Sequence, residues 1–471
     1  MVFDTLYGLD ANLEPQPQMV EGASVENDGR VWRMRLRPSL LFHTGEPVLA
    51  RDVRASLLRW ARGDVFGNAL LGALDALEVI DDRTFVFRLK KPFPQLPAAL
   101  AKVSSPCPFI APADLIGEER SVPMKQIVGS GPFRFLASET VPGARYVYER
   151  NPDYVPRQGG GSGFTAGPKR VTVERVEWRV IPDAGTAASA LQAGEVDWWD
   201  QVLPDLVPLL RRRNGIRIEA SDRMGLNGYL RLNHLQPPFD DPRIRRALLP
   251  AIDQIDQMTA VMGATDGGLA RTGVGVFSAD SPMANDEGLA VLTDPRDLKL
   301  AAARLREAGY PGAPVTLIYP TDFPAIEAMA QVSGAMLRAI GMRVDMQAMD
   351  FGTLLARRNN RGSPAQGGWN AFALANSGPD MFSPAAHTQL RANGRDGPPG
   401  WPDDPRIEEL RQAWFDASSL AEQQHICRRM QAANWETVAL LPLGQFFPQT
   451  AYRTSIRRGN RDITAFWDLD A

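Results

Sequence analysis

Histidine and cysteine serve most often in metal binding and nucleophilic chemistry, and this sequence has few of them. The four histidines are His43, His234, His387 and His425, and they lie far apart along the chain. Only His425 has a cysteine nearby, Cys427, and two residues apart on a predicted helix the two side chains point in different directions. A zinc or other transition-metal site needs converging ligands. The sequence therefore predicts no metal site.

Motifs for nucleotide, dinucleotide and hydrolytic chemistry are also absent. The sequence contains no Gly-x-x-x-x-Gly-Lys-Ser/Thr loop, no Gly-x-Gly-x-x-Gly after a predicted strand and no Gly-x-Ser-x-Gly. An enzyme would have to rely on carboxylates or tyrosine. The acidic pairs Asp240-Asp241 and Asp403-Asp404 precede predicted helices, where capping explains them. We predict a protein with no catalytic activity and no cofactor, with an α/β hydrolase as the alternative.

Length, charge and hydropathy limit the class of protein further. The chain has 471 residues, and 52 basic against 55 acidic residues give a net charge of −3. This balance argues against nucleic acid as a partner. No apolar run approaches the roughly 18–20 residues that a membrane helix needs. We therefore expect a multi-domain globular protein.

The first residues do not show the pattern of a signal peptide. Met1-Val2-Phe3-Asp4 has no basic region, apolar region or small-residue cleavage site. Either the protein acts in the cytoplasm or an export signal has been removed. Composition does not decide between the two.

The elements that must position any site form a β-rich first part and a later α/β part. Alternating apolar and polar residues predict strands at 31–36 and 84–89. Later, a predicted strand at 314–319, helix at 325–340 and strand at 343–349 indicate a parallel pair with a crossover helix. The sequence therefore predicts a mixed α/β architecture.

The tripeptide Asp-Pro-Arg occurs three times, beginning at Asp241, Asp294 and Asp404. Asp is a good N-cap and Pro fits the first helical turn. We therefore expect a helix to begin after each of the three aspartates.

Aromatic residues are abundant, with 10 Trp, 8 Tyr and 20 Phe. Trp401 lies in the segment Pro398–Pro402, which has no helical or strand periodicity. We expect this tryptophan either to fill a gap or to line a cleft.

Four motifs in a fixed order resemble those of the large periplasmic solute-binding proteins of ABC importers for oligopeptides, dipeptides and nickel. The first joins a Trp-containing strand, a Phe-His turn and an Ala-x-Asp-Val helix start, here Val31–Arg37, Leu41–Val48 and Ala50–Val53. The other three are Gly129–Arg134 followed by Arg150–Tyr154, then Ala190–Asp197, then Asn233–Ala247. Singly these motifs are weak, but together and in order they are specific.

The resemblance implies an α/β, two-lobed periplasmic-binding-protein-like fold with discontinuous lobes, a central hinge and an additional α+β domain. Lobe I would comprise residues 1–10, 169–232 and 445–471, the additional domain 11–168, and lobe II 233–444. The chain would cross the hinge near 232–234 and 444–446.

The resemblance also implies a receptor and not an enzyme. It would capture a small ligand, peptide-like or a small organic acid, between its lobes and deliver it to the membrane subunits of an ABC permease. It would act as a monomer in the periplasm, which is reached with a signal peptide that is not seen in this sequence. Nickel carriers are a minor branch, against which the unclustered histidines argue. A family member acting as a chemosensor or chaperone is a second alternative.

One stretch departs from the pattern of the dipeptide-binding members. They carry an Asp-Asn-Gly-Asp-Pro-Asp stretch whose aspartate pairs with the amino group of the peptide, and here it reads Ala375–Asp380, with Ala375 in place of that aspartate. A buried ammonium without a partner is costly. This departure favours a neutral or anionic ligand, such as a small aromatic acid or a blocked peptide, over a free dipeptide.

The resemblance and the aromatic loops together predict a set of ligand contacts. Trp369, Phe372 and Trp401 would stack on the solute, and Asn370, Asn376 and Gln445 would supply hydrogen bonds. Further contacts are predicted at the hinge crossings and at the start of lobe I, from Tyr229, Phe446, Asp4 and Thr5. The alternative is that Trp369 and Phe372 belong to the core of lobe II.

Overall fold

The computed structural model describes residues 1–117, 122–161, 163–263 and 268–470. The strands are β1 (Tyr7–Leu9), β2 (Pro15–Pro17), β3 (Val20–Glu26), β4 (Val31–Leu36), β5 (Leu74–Val79), β6 (Thr84–Leu89), β7 (Phe133–Phe135), β8 (Arg145–Arg150), β9 (Arg175–Arg179), β10 (Trp198–Val202), β11 (Ile216–Ala220), β12 (Leu226–Leu232), β13 (Ala270–Arg271), β14 (Pro314–Pro320), β15 (Arg343–Met349), β16 (Ala371–Ser377), β17 (Leu441–Phe446), β18 (Gln449–Arg453), β19 (Arg457–Arg458) and β20 (Leu469–Asp470).

The helices are α1 (Ala50–Ala61), α2 (Val65–Ala73), α3 (Leu96–Leu100), α4 (Ala184–Ala193), α5 (Val207–Arg211), α6 (Pro242–Ala247), α7 (Gln254–Met262), α8 (Ala290–Thr293), α9 (Leu298–Glu307), α10 (Pro324–Ala339), α11 (Phe351–Arg357), α12 (Pro405–Asp416) and α13 (Leu420–Thr437). Within the described ranges, none of them is long and apolar enough to cross a membrane.

The chain divides into two compact units. It crosses from one to the other twice, each time close in sequence to a strand of unit 2. Unit 1 comprises residues 1–223 and 449–471, and unit 2 comprises residues 224–448. The strands β12 and β17, which begin and end unit 2 near these passages, are hydrogen-bonded to each other within a single sheet of this unit. The hinge crossings near 232–234 and 444–446 stay a prediction. The finer division into two lobes and an additional domain stays a prediction.

Unit 1 contains several separate small sheets. The predicted strands at 31–36 and 84–89 are confirmed as β4 and β6, which pair antiparallel within the order β3-β4-β6-β5. Two three-stranded sheets follow, in the orders β7-β8-β9 and β10-β18-β11. The middle strand of the second, β18, comes from the far end of the chain. It packs on α4 and α5 through buried apolar residues such as Leu191, Leu210 and Ala451.

Unit 2 is organised around a six-stranded sheet with the order β13-β17-β12-β16-β14-β15. The predicted strand, helix and strand are confirmed as β14, α10 and β15, and the two strands are parallel and directly paired. Helices α7 and α10 cover one face of this sheet, because a Cβ added at Gly444 would collide with Met258 and one at Gly228 with Met329.

Two of the three predicted Asp-Pro-Arg helix starts are confirmed. Asp241 and Asp404 cap α6 and α12 by accepting hydrogen bonds from the backbone N–H two residues on. The prediction at Asp294 is wrong. Its backbone N–H donates to the carbonyl of Ala290 and so closes α8. The next helix, α9, is capped instead by Asp297, which accepts from the N–H of Leu300 at 2.8 Å.

Candidate functional site

A row of polar side chains crosses four strands of the sheet in unit 2. Arg271 of β13 lies opposite Gln445 of β17, Gln445 lies opposite Asn227 of β12, and Asn227 lies opposite Asn376 of β16. Residues directly opposite each other in neighbouring strands project from the same face. Because Gly228 and Gly444 face the helices, this row projects from the face away from α7 and α10. We call these four residues the polar row.

The two central members of the polar row are buried with hydrogen-bonding groups left over. Asn227 is 2 % exposed, and neither its Nδ2 nor its Oδ1 has a partner among the described residues. Gln445 is fully buried and donates from Nε2 to the Met224 carbonyl at 2.6 Å, but its Oε1 likewise has no partner. Buried polar groups in native proteins are almost always hydrogen-bonded. These atoms are therefore ready to bind a polar ligand that both donates and accepts hydrogen bonds.

The ends of the row differ in charge. At one end the exposed guanidinium of Arg271 pairs with Asp280 at 2.6 Å and lies 4.8 Å from the centre of the Phe447 ring. Asp280 also accepts from Nε2 of Gln445 at 3.1 Å. At the other end Oδ1 of Asn376 accepts from the hydroxyl of Tyr229 at 3.0 Å. Burial raises the pKa of Tyr229 to about 12, so this hydroxyl stays a neutral donor that orients the Asn376 amide.

The row lies at the edge of the sheet where the parallel strands end. The strands β14, β15 and β16 end at residues 320, 349 and 377, and β12 starts opposite residue 377. Ligands of open α/β sheets bind outside the carboxyl ends of the strands. Beyond β14 and β15, Phe323 and Phe351 place their ring centres 4.3 Å apart, and Phe323 is 44 % exposed. An exposed aromatic pair therefore lies at this edge of the sheet, beyond the ends of β14 and β15.

The three aromatic residues predicted to stack on a solute are interior in this structure. Trp369, Phe372 and Trp401 are 0, 1 and 3 % exposed. The Trp369 ring lies 4.7 Å from that of Phe372 and 5.7 Å from that of Trp401, and its Nε1 donates to the Arg358 carbonyl. These contacts are those of a packed core, as the alternative interpretation had it. Their stacking on a ligand stays a prediction.

Asn370 and Phe446 also have structural contacts that account for them. The backbone N–H and side-chain Oδ1 of Asn370 both bond to Thr316, and its Nδ2 donates to the Pro237 carbonyl at 2.8 Å. Phe446 is 2 % exposed and pairs with Leu226 and Ala270 on either side of β17. The Asn370 side chain is thus used in internal bonds through both its oxygen and its nitrogen, and Phe446 is packed within the sheet.

Asp4 and Thr5 belong to unit 1, whereas the other eight predicted contacts belong to unit 2. The Asp4 carboxylate is buried, forms an ion pair with Lys169 and accepts from the Tyr154 hydroxyl at 3.0 Å. The Thr5 hydroxyl donates to the carbonyl of Tyr7 at 2.6 Å. Within unit 1, both side chains are thus used in internal bonds.

Of the predicted contacts, the structure brings together Asn376, Tyr229 and Gln445, and sequence reasoning missed Asn227 and Arg271. Asn227 and Tyr229 are two residues apart in β12, so strand alternation places both side chains on one face, and this signal was available from the sequence. Arg271 lies in a two-residue strand without any periodicity. Only the cross-strand register brings it to the row.

Comparison with protein families decides what kind of protein this is. A model described as bacterial extracellular solute-binding proteins, family 5 Middle, matches residues 14–391. The chain belongs to this family. The predicted resemblance is confirmed, and so is the prediction of a solute-binding protein. No group of three or more His, Cys, Asp or Glu side chains suited to a metal occurs in the part of this family 5 protein that the structure describes.

Relatives of this family 5 protein cover nearly all of it. It is 34 % identical over 457 residues to "Probable peptide ABC transporter periplasmic-binding protein y4tO" of Sinorhizobium fredii, with 97 % of this chain and 85 % of the relative covered. It is 26 % identical over 410 residues to the glutathione-binding protein GsiB of Pectobacterium atrosepticum, with 82 % and 74 % covered.

A solved structure confirms the predicted fold. The binding protein AgaA from A. tumefaciens R10, in complex with agropinic acid, matches with a TM-score of 0.79 at 20 % identity, over 98 % of this chain and 89 % of AgaA. At this identity the likeness establishes the α/β periplasmic-binding-protein fold and nothing about the ligand.

Proposed function

We propose that this protein captures a peptide-like solute or a small organic acid on the polar row of unit 2 and delivers it to an ABC permease. The observation that carries this proposal is the pair of buried amides, Asn227 and Gln445, whose free groups lie side by side on adjacent strands. A peptide bond or a carboxamide offers a donor and an acceptor at matching spacing. The names of y4tO and GsiB, which state a peptide transporter and glutathione binding, support a peptide-like ligand.

The charges along the edge favour a ligand with a carboxylate at one end. Arg271 is exposed at the β13 end of the row and would pair with an anion there. The aspartate that pairs with the amino group in the dipeptide-binding pattern is replaced here by Ala375, which has no carboxylate. Phe323 offers an apolar surface for a flat or hydrophobic part of the ligand. We therefore propose a neutral or anionic ligand with a blocked or absent amino group.

Membership of the family connects this function to ABC import. The oligomeric state, the location, the partner and the absence of turnover are part of the proposal. We propose that the protein acts as a monomer in the periplasm, that its partner is the membrane part of an ABC importer, and that it turns over neither peptides nor esters. The alternative functions are those of a hydrolase and of a chemosensor or chaperone. In either of them the polar row would have no role in transport.

Native mass spectrometry of the purified protein, followed by calorimetry, tests this function. The expected result is one co-purified small molecule whose affinity falls at least tenfold in Asn227→Leu, which corresponds to about 1.4 kcal/mol. Asn434→Leu is the matched control, because Asn434 is equally buried but bonds to Leu440 through both amide atoms. Binding unchanged in Asn227→Leu would show that the ligand does not use the polar row.

A further inference from the structure

A short segment of unit 1 is strongly basic, and nothing in the proposed function uses it. Residues 203–217 connect β10 to β11 and include α5. In this segment four arginines against one aspartate give a local charge of +3, in a chain whose net charge is −3. We call residues 203–217 the basic segment.

The helix α5 determines which side chains of the basic segment face outward. Val207 and Leu210 are 6 and 0 % exposed and belong to the apolar core that α5 shares with α4 and β18. Successive residues of a helix are about 100° apart around its axis. Leu209 therefore projects away from this core and is 48 % exposed. An apolar side chain thus lies at the surface directly before a run of arginines.

Arg211, Arg212 and Arg213 are all exposed and have no acidic partner. In the part of the chain that the structure describes, none of them lies within ion-pair distance of a carboxylate, and Arg213 donates to the neutral Oε1 of Gln192 at 2.7 Å. Arg211 ends α5, where the helix dipole favours a cation. One cation is enough for this effect, so it does not account for a run of three.

This arrangement fits an extended anionic surface better than a single acidic group. Because the three arginines start out in different directions, they reach separate anions more readily than one shared carboxylate. The planar guanidinium group matches the geometry of a phosphate and binds it through two hydrogen bonds. The apolar stem of an arginine can lie along an interface while its charged head stays at the polar level. Leu209 would at the same time enter the apolar layer beneath lipid head groups.

We propose that the basic segment binds a membrane surface that carries anionic lipid head groups. Arg211, Arg212 and Arg213 contact the phosphates, and Leu209 inserts beside them. This binding depends neither on the polar row nor on a captured solute. It would concentrate the receptor at the surface in which its permease lies, and that consequence alone rests on the proposed function.

Flotation of the purified full chain with lipid vesicles tests the proposal. We expect the protein to bind vesicles of phosphatidylcholine with about one third phosphatidylglycerol, and not vesicles of phosphatidylcholine alone. The whole chain is negative and would be repelled by anionic lipid if its charge were evenly spread, so binding reports a local basic surface. Salt at about 0.5 M should release the protein, because it screens exposed charges.

Two triple variants separate the basic segment from the overall charge. Arg211→Gln, Arg212→Gln and Arg213→Gln together should lower the partition coefficient about a hundredfold, at about 1 kcal/mol for each arginine. The control combines three exposed arginines in and beside β4, as Arg30→Gln, Arg33→Gln and Arg35→Gln, and changes the net charge equally. It should lower the coefficient less than about threefold. Equal losses in the two variants, or equal binding to neutral vesicles, would overturn the proposal.

Leu209→Ser separates a lipid surface from an acidic protein as the partner. This variant keeps every charge and should bind the anionic vesicles about fivefold more weakly, because about half of a leucine is left to bury. Leu300→Ser is the matched control, since Leu300 is 40 % exposed in unit 2, and its vesicle binding should not change. Soluble polyglutamate is the second probe. If the parent binds polyglutamate more tightly than the vesicles, or if Leu209→Ser floats as the parent does, the partner is not lipid and the proposal is wrong.

Discussion

Replacing Asn227 by leucine should make the protein more stable and a worse receptor. Leucine has the same branching of heavy atoms as asparagine but no polar group. Asn227 is 2 % exposed, and its Nδ2 and Oδ1 lack partners among the described residues. An unsatisfied buried polar group costs about 1–3 kcal/mol of folding free energy. The substitution removes this cost and also removes the groups that we assign to the ligand.

The burial of the Asn227 side chain determines how much stability the substitution adds. We expect the free energy of unfolding of the ligand-free protein to rise by about 1–3 kcal/mol in Asn227→Leu. For a unit of this size each kcal/mol raises Tm by about 2–4 °C. To remove the ligand, the protein is unfolded in denaturant, dialysed and refolded. Scanning calorimetry then measures the change in Tm, and titration calorimetry measures the loss of affinity.

Asn434→Leu is the matched control, because here the same substitution should lower the stability. In Asn434→Leu the two hydrogen bonds to Leu440, at 3.1 and 3.2 Å, are lost, and the backbone groups of Leu440 are left unsatisfied. This variant should lose about 1–3 kcal/mol of stability and keep the affinity. If Asn227→Leu lowers Tm as much as Asn434→Leu does, the Asn227 amide is satisfied in the apo protein and our reasoning fails.

Three other perturbations have expected outcomes. Arg271→Gln should weaken an anionic ligand about tenfold by titration calorimetry, whereas the exposed Arg243→Gln should not, and equal losses would remove the charge argument. Burial lowers the pKa of His387 from the usual 6.5 to about 3. Between these two pH values only the unfolded chain binds a proton at this histidine. The free energy of unfolding should therefore fall on acidification, by up to about 1.4 kcal/mol per pH unit. Urea unfolding at several pH values should show a flatter dependence in His387→Phe, and an unchanged slope would contradict this. Lys169→Met should cost about 3–5 kcal/mol because it leaves Asp4 buried without its partner; the double variant with Asp4→Leu should recover most of the lost Tm, and no recovery would mean that the ion pair is not the cause.

The fold could be predicted from the sequence where a local pattern determined it. The alternation in 31–36 and 84–89 and the strand–helix–strand period of 314–349 are confirmed as β4, β6 and the β14–α10–β15 unit. The prediction at Asp294 failed because the same residue type can close a helix as well as open one.

The site could be predicted only in part, because it depends on contacts between distant segments. Trp401 has a left-handed backbone, with φ of +48°, and turns from its loop into the interior, which no periodicity shows. The importance of Asn227 comes from its register with Gln445 and Asn376, on strands formed much later in the chain. Sequence patterns report which face a residue takes within one strand, and not which residues lie beside it.

The position of β18 has a consequence for the order in which the protein can assemble. This strand is the shared neighbour of β10 and β11, and it is made of residues 449–453. During synthesis, or while emerging on the far side of a membrane, residues 224–448 hold everything needed for their own sheet. The strands β10 and β11 emerge first and must wait more than two hundred residues for the partner between them. A chain interrupted before residue 449 would therefore carry a complete unit 2 beside two unmatched strands, the state in which a chaperone or a protease would meet it.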